Sequence, residues 1–331
     1  MAVVCLASLK GGVGKTAVSI NLAASFAARG CKTLLIDLDP TAHSSRFFAR
    51  AQKDIAQSNG SESLSTESPL ARLLLSKTDV LEAYQENPKT NKNFSLIELA
   101  ISEKVHLLRK VRENLWIMPA GNELRHFYWG RSARLFRTFF PMLLAELLSD
   151  YDYIVIDTPP DYNILTRNGM AISDLVVVPV DASLMSIHCL EDLVEQAGHI
   201  NKPVWSIVRT MVNRQARKVR ELSEQRLGDN LNLSNVEEQE DQDETDFIMP
   251  SDQPLGEESP IYLFNSQIFR TEIQNKLSFQ GKTVFESKES KMLAPCYLSL
   301  AREVEELLSI VSEKEEENDY MPSIFGSQRA L

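Results

Sequence analysis

Residues 2–16 read AVVCLASLKGGVGKT, and residues 17–36 continue AVSINLAASFAARGCKTLLI. Ala2–Ala7 is a short apolar run of strand type, and Leu9–Thr16 is a glycine-rich loop. Ala17–Arg29 has helical composition, Gly30 stops it, and Thr33–Ile36 is a second buried strand. Strand, loop, helix, strand is a βαβ unit, which predicts a parallel sheet with a right-handed crossover.

The loop carries chemistry because of where its glycines and lysines fall. Gly11, Gly12 and Gly14 allow backbone N–H groups to turn inward with no Cβ in the way. With the following helix N-terminus they form an anion cradle. Lys15 is placed to reach the β- and γ-phosphates of ATP, and Thr16 to set its hydroxyl on Mg²⁺. The strict GxxxxGK[ST] pattern is not met, since Leu9 stands where its first glycine belongs. KGGxGKT is instead the deviant Walker A form, with an extra lysine, Lys10, ahead of the glycines. A nicotinamide dehydrogenase is disfavoured, because no GxGxxG occurs there. The fold class predicted is α/β: a P-loop NTPase, largely parallel and twisted, with helices on both sheet faces, in one domain.

Two carboxylate stations follow. Leu34–Pro40 (LLIDLDP) ends a buried strand with Asp37 and Asp39 projecting from its carboxyl end, where open α/β sheets bind ligands. Tyr153–Pro160 (YIVIDTPP) reads as a Walker B strand, with Asp157 orienting a Mg²⁺-bound water. Pro159–Pro160 stiffens the exit of a loop suited to sensing the γ-phosphate.

Elsewhere the pattern is less informative. Leu70–Arg112 reads as helical segments broken at Gln85–Asn93, Leu115–Met118 as a strand, and Leu135–Leu148 as an apolar helix kinked or bounded at Pro141. Leu175–Val180 and Val204–Val212 are further strands, the latter with Trp205 and Arg209 as interruptions. Glu303–Glu317 reads as an acidic helix. The domain is expected over 1–310, with a flexible C-terminal tail over 311–331.

Composition is that of an ordinary globular protein, 43% hydrophobic and 24% charged. No apolar run approaches the ~18–20 residues of a membrane span, so the expected location is cytoplasmic. The four cysteines make no CxxC pair and read as reduced, buried thiols. The net charge of −11 is concentrated: Asp229–Glu258 holds eleven acids and no Lys or Arg, so the rest of the chain is balanced. Residues 229–259 are therefore expected to form a disordered acidic insertion.

These residues resemble the ParA/MinD family of deviant Walker ATPases, closest to its ParA-type partitioning branch. The resemblance covers about residues 1–310 and rests on Lys10–Thr16, Asp37–Pro40, Leu115–Gly121, Asp157–Pro160, Thr210–Arg214, Gly281–Phe285 and Leu298–Val304. It implies that Lys10 crosses to a partner's γ-phosphate in an ATP-dependent homodimer, that Lys10, Lys15 and Asp39 act in catalysis, and that Asp39 positions the attacking water. It implies a nucleotide site made by Lys10, Gly11, Gly12, Val13, Gly14, Lys15, Thr16 and Ala17, with Asn213 and Arg214 on the adenine, and Mg²⁺ held through Thr16, Asp37 and Asp157. The chain departs from the family at Thr41–Ala42–His43 and at Ile273, where relatives carry Gln with a small residue and an arginine.

Two sister functions separate on charge. MinD-like members end in a basic membrane-binding helix, whereas Glu303, Glu305, Glu306, Glu313, Glu315, Glu316 and Glu317 give the wrong sign for anionic lipid. Arg217, Lys218, Arg220, Arg270 and Lys276 are the candidate contacts to nonspecific DNA. The expected function is a ParA-type ATPase, nucleoid-associated, that positions a cargo and is released when a ParB-like or adaptor protein stimulates hydrolysis. The alternatives are a non-DNA regulatory member of the family, or an ATP-bound scaffold deficient in hydrolysis.

Overall fold

Strand alternation divides the apolar residues between two cores. In β1 (Ala2–Leu6), Val3 and Cys5 enter one core and Val4 and Leu6 the other. The same split separates Leu34 and Ile36 from Leu35 in β2 (Thr33–Asp37), and Ile154 and Ile156 from Val155 in β5 (Tyr153–Asp157). A strand buried on both faces has to be apolar throughout, which is why these segments read as continuous hydrophobic runs.

The structure is a computed structural model and describes residues 1–50, 68–76, 107–148, 150–198, 200, 203–213 and 261–317. The remaining strands are β3 (Arg109–Arg112), β4 (Leu115–Met118), β6 (Leu175–Val180), β7 (Val204–Val212) and β8 (Ile261–Phe269). They form one sheet in the order β3-β4-β2-β5-β1-β6-β7-β8, parallel except for the β3–β4 pair. The α/β expectation therefore holds, with β5 inserted between β1 and β2.

Helices cover both faces. On one lie α1 (Lys15–Ala28) and the long C-terminal α8 (Ala294–Glu317), which supply Val18, Leu22, Phe26, Tyr297, Leu300 and Leu307 to the core. Phe26 stacks on Tyr153 with ring centroids 4.0 Å apart, tying α1 to β5. Between them in sequence come α2 (residues 43–50), α3 (Pro69–Ser76), α4 (Gly130–Leu148), α5 (Ile164–Ala171), α6 (Leu184–Ala197) and α7 (Glu272–Phe279). Helices α4 and α6 close the opposite face through Phe136, Phe140, Leu144, Ile187, Leu190 and Leu193. Among the described residues no helix is long and apolar enough to cross a membrane.

Several boundaries differ from the sequence reading. Arg109–Arg112 is a strand rather than part of a helical region, paired antiparallel with β4 across a turn in which Asn114 adopts φ 54°. Asparagine tolerates that left-handed conformation, so a tight reversal wins over local helix propensity. Helix α4 runs through Pro141 without ending there. Strand β7 is unbroken at Trp205, which is buried in the core, while Arg209 marks an irregularity in its register with β8. The last helix continues to Glu317, so residues 311–317 are helical rather than part of a tail. Of the cysteines, Cys5 alone is fully buried, and Cys31, Cys189 and Cys296 are half-buried thiols outside any disulfide. The acidic insertion at 229–259 and residues 318–331 lie outside the described residues, as do Arg214, Arg217, Lys218 and Arg220.

The unanticipated strand β8 places its bulged centre against α8. There Glu303, only 7% exposed, accepts from the N–H groups of Asn265 (2.6 Å) and Ser266 (2.9 Å) and from the Ser266 hydroxyl. One carboxylate on a helix thus satisfies backbone donors that the β7 ladder leaves over.

Candidate functional site

The carboxyl ends of β1, β2, β5 and β6 open on one edge of the sheet, and every predicted phosphate and metal residue sits there. Gly12 and Gly14 have φ of 81° and 85°, a region in which a side chain is strained. A Cβ built at Gly11 or Gly12 would meet nothing within 4 Å, so the space in front of the loop is open. Gly14 is the N-cap of α1, and a Cβ there would lie 3.1 Å from the Met211 side chain. The buried Val13 anchors the loop, its carbonyl accepting from Thr210 Oγ1 at 2.7 Å. Ala17 and the half-buried Thr16 follow in the first turn of α1.

Lys15 is 6% exposed, and its ammonium donates to the Thr158 carbonyl and lies 3.7 Å from Asp157 Oδ1. Asp37 and Asp157 are direct partners across the parallel β2–β5 pair. Asp157 is fully buried and accepts from Ser19 Oγ (3.0 Å) and Ser44 Oγ (2.7 Å). Asp37 accepts from the Ser45 N–H (2.9 Å), Ser45 Oγ (2.6 Å) and the Asp39 N–H (3.1 Å). Burial first, and the Asp157 charge second, push the Asp37 carboxyl up to about 8. Asp39, 5% exposed, accepts from the Thr41 N–H at 2.8 Å.

Three buried carboxyl groups, Asp37, Asp39 and Asp157, thus lie at the ends of the neighbouring strands β2 and β5, with the buried Lys15 ammonium beside Asp157. Hard carboxyl oxygens at these strand ends fit Mg²⁺, which takes one or two protein oxygens together with phosphates and water. The residues present suit the ion: Thr16, Asp37 and Asp157 would hold it or its waters. The glycine loop and Lys15 suit a triphosphate.

The segment that departs from the family pattern after Asp39 is tied into this network. Ala42 takes φ 55° and its N–H donates to the Asp39 carbonyl, which turns the chain so that Ser44 meets Asp157 and Ser45 meets Asp37. Thr41 Oγ1 and His43 Nδ1 lie 3.2 Å apart.

Lys10 has a different environment from the other cradle residues. Its ammonium contacts Asp181 Oδ1 (2.8 Å), Asp181 Oδ2 (2.7 Å) and Ser183 Oγ (2.6 Å) of its own chain. Asp181 follows β6 directly, and Ser183 caps α6.

The remaining candidates are more scattered. Asn213 is exposed just beyond β7. Arg270 is exposed beside it, its N–H donating to the Val212 carbonyl at 3.1 Å. Lys276 is held in an exposed ion pair with Glu289 at 2.8 Å.

The sequence reading missed Ser19, Ser44, Ser45, Thr158, Asp181 and Ser183. Only Asp181 carried a legible signal. It follows the apolar run Leu175–Val180 just as Asp37 and Asp157 follow theirs.

The AAA_31 family, described as an AAA domain, matches residues 1–209. The chain is 29% identical over 220 residues to the chromosome partitioning protein ParA of Myxococcus xanthus, covering 65% of this chain and 66% of that protein. It is 28% identical over 202 residues to the sporulation initiation inhibitor protein Soj of Bacillus subtilis, covering 60% and 66%. The chain therefore spans just under two thirds of the length of these relatives. Among solved structures, a plasmid partition protein of Borrelia burgdorferi bound to AMPPNP has the same fold, with a TM-score of 0.58, 19% identity, and coverage of 91% of this chain and 97% of that one. With the deviant glycine loop, the paired strand-end aspartates and the matched domain in agreement, the chain belongs to the ParA/MinD family of P-loop ATPases.

Proposed function

We propose that this protein is a ParA-type ATPase that binds ATP with Mg²⁺, dimerises around the nucleotide and binds nonspecific DNA. It would position or partition a cargo in the cytoplasm, on the nucleoid. Release would follow when a ParB-like or adaptor protein stimulates hydrolysis. The observation that carries this reading is the convergence of Lys15, Asp37, Asp39 and Asp157 at one sheet edge. The nucleotide-bound Borrelia fold relative supports the choice of ligand.

In this reading the loop N–H groups and Lys15 bind the phosphates, and Thr16 with Asp37 and Asp157 holds Mg²⁺, which supplies charge neutralisation when bound. Asp39 orients the water, and Lys10 reaches the partner's γ-phosphate. The adenine rests against Asn213 and Arg214. DNA phosphates meet Arg217, Lys218, Arg220 and Arg270 through salt-sensitive contacts, whereas Lys276, the fifth candidate, is already paired with Glu289. Sizing the protein with ATP and with ADP, beside Lys10→Ala, tests the switch. A wild type whose size ignores the nucleotide refutes it. Phosphate release from wild type and Asp39→Ala tests hydrolysis, and equal rates would favour an ATP-bound scaffold.

A further inference from the structure

We infer that Asp181 and Ser183 are positioning residues for Lys10: they hold its ammonium in its own subunit and so oppose nucleotide-driven assembly. An ammonium has three N–H donors and no acceptor. Those of Lys10 are directed at three acceptor atoms in its own chain, the two Asp181 oxygens and Ser183 Oγ, all within 2.8 Å. In this arrangement Lys10 has no donor left for a phosphate outside its subunit.

The acceptor site is built rather than incidental. The Ser183 N–H and hydroxyl both donate to Asp181 Oδ1, at 3.1 and 2.6 Å, fixing the carboxylate at the start of α6. The Ser183 hydroxyl also caps that helix through the Ser186 N–H at 3.3 Å. Ser186 Oγ accepts from the Asp181 N–H at 3.2 Å, closing the turn. Burial alone would raise the Asp181 carboxyl, but the bonds from Lys10 and Ser183 outweigh it and leave it below the ordinary aspartate value. The pair is about one fifth exposed on each side, so it can open without unfolding the core. Beside it, Leu184 and Met185 are 45% and 62% exposed, an apolar rim at the surface that an approaching second copy would cover.

The inference rests on the dimer reading above and adds a competing state to it. Lys10 must leave Asp181 before it can serve a neighbour, whereas Asp181 keeps its two Ser183 donors after the exchange. Removing the carboxylate therefore removes the competitor without touching the phosphate loop.

The test uses the full chain as wild type, Asp181→Asn, Ser183→Ala and Lys10→Ala. The first readout is the labelling rate of Lys10 by an amine-selective ester in nucleotide-free protein, followed by peptide mass spectrometry with the exposed Lys282 as reference. The second is the dimer dissociation constant at saturating Mg²⁺-ATP, from sedimentation velocity. Asp181→Asn is expected to raise Lys10 labelling several-fold and to tighten the dimer about three- to tenfold, the range for a partly exposed ion pair. Ser183→Ala, which leaves the carboxylate in place, should move both in the same direction by less. A purely structural role would weaken assembly, so tightening is the diagnostic sign. Unchanged Lys10 labelling, or an Asp181→Asn dimer no tighter than wild type, overturns the inference while leaving the dimer reading intact. A wild type that stays monomeric with ATP removes both.

Discussion

Asp37 makes the apo protein's stability depend on pH in a direction opposite to that of an ordinary ion-paired aspartate. Its carboxyl is 2% exposed and rises from 3.8 to about 8, first through burial and then through Asp157. Between those values the folded protein retains a proton that the unfolded chain has lost, so stability falls as pH rises. Below pH 3.8 both states are protonated and the effect vanishes; above about 8 the penalty is complete. One proton corresponds to a slope of ~1.4 kcal/mol per pH unit, or about 3 kcal/mol between pH 5 and 7. For a domain of this size that is roughly 5 °C in Tm. Asp37→Asn loses the titration, and any damage to the Ser45 bonds enters as a constant offset rather than a slope. Urea unfolding of nucleotide-free wild type and Asp37→Asn at pH 5, 6 and 7 should give curves that diverge at this rate. Saturating Mg²⁺-ATP should flatten the wild-type slope, since a bound cation favours the carboxylate. Parallel wild-type and Asp37→Asn curves across this range would refute the electrostatic account of the site.

Other substitutions probe the remaining contacts. Ser44→Ala removes a 2.7 Å donor from the fully buried Asp157 and should cost about 1–3 kcal/mol in chemical denaturation, with weaker Mg²⁺-dependent nucleotide binding by fluorescence titration. Glu303→Ala strips the acceptor from the N–H groups of Asn265 and Ser266, and should destabilise the fold by about 3 kcal/mol, with hydrogen exchange rising first in β8. Arg270→Ala should weaken DNA binding and reduce its salt slope by about one. Lys276→Ala should change it little in fluorescence anisotropy, because Glu289 already neutralises Lys276.

The sequence by itself determined the βαβ start, the phosphate loop and the two apolar strands ending in Asp37 and Asp157. Each of these is written in residues that are neighbours along the chain, so period, composition and turn chemistry are enough to read them. Strand β3 escaped because a four-residue edge strand, RKVR, carries little apolar pattern, and its pairing depends on the Asn114 turn. Only the tertiary structure decided what surrounds the site. Ser19 and Ser44 reach Asp157 from 138 and 113 residues away in sequence, and Asp181 reaches Lys10 across 171. Those meetings follow from strand order, which sets β5 between β1 and β2 and brings β6 against β1. A hydroxyl or carboxylate has no periodic signature of its own, so its role appears only when parallel register brings distant strand ends to one edge.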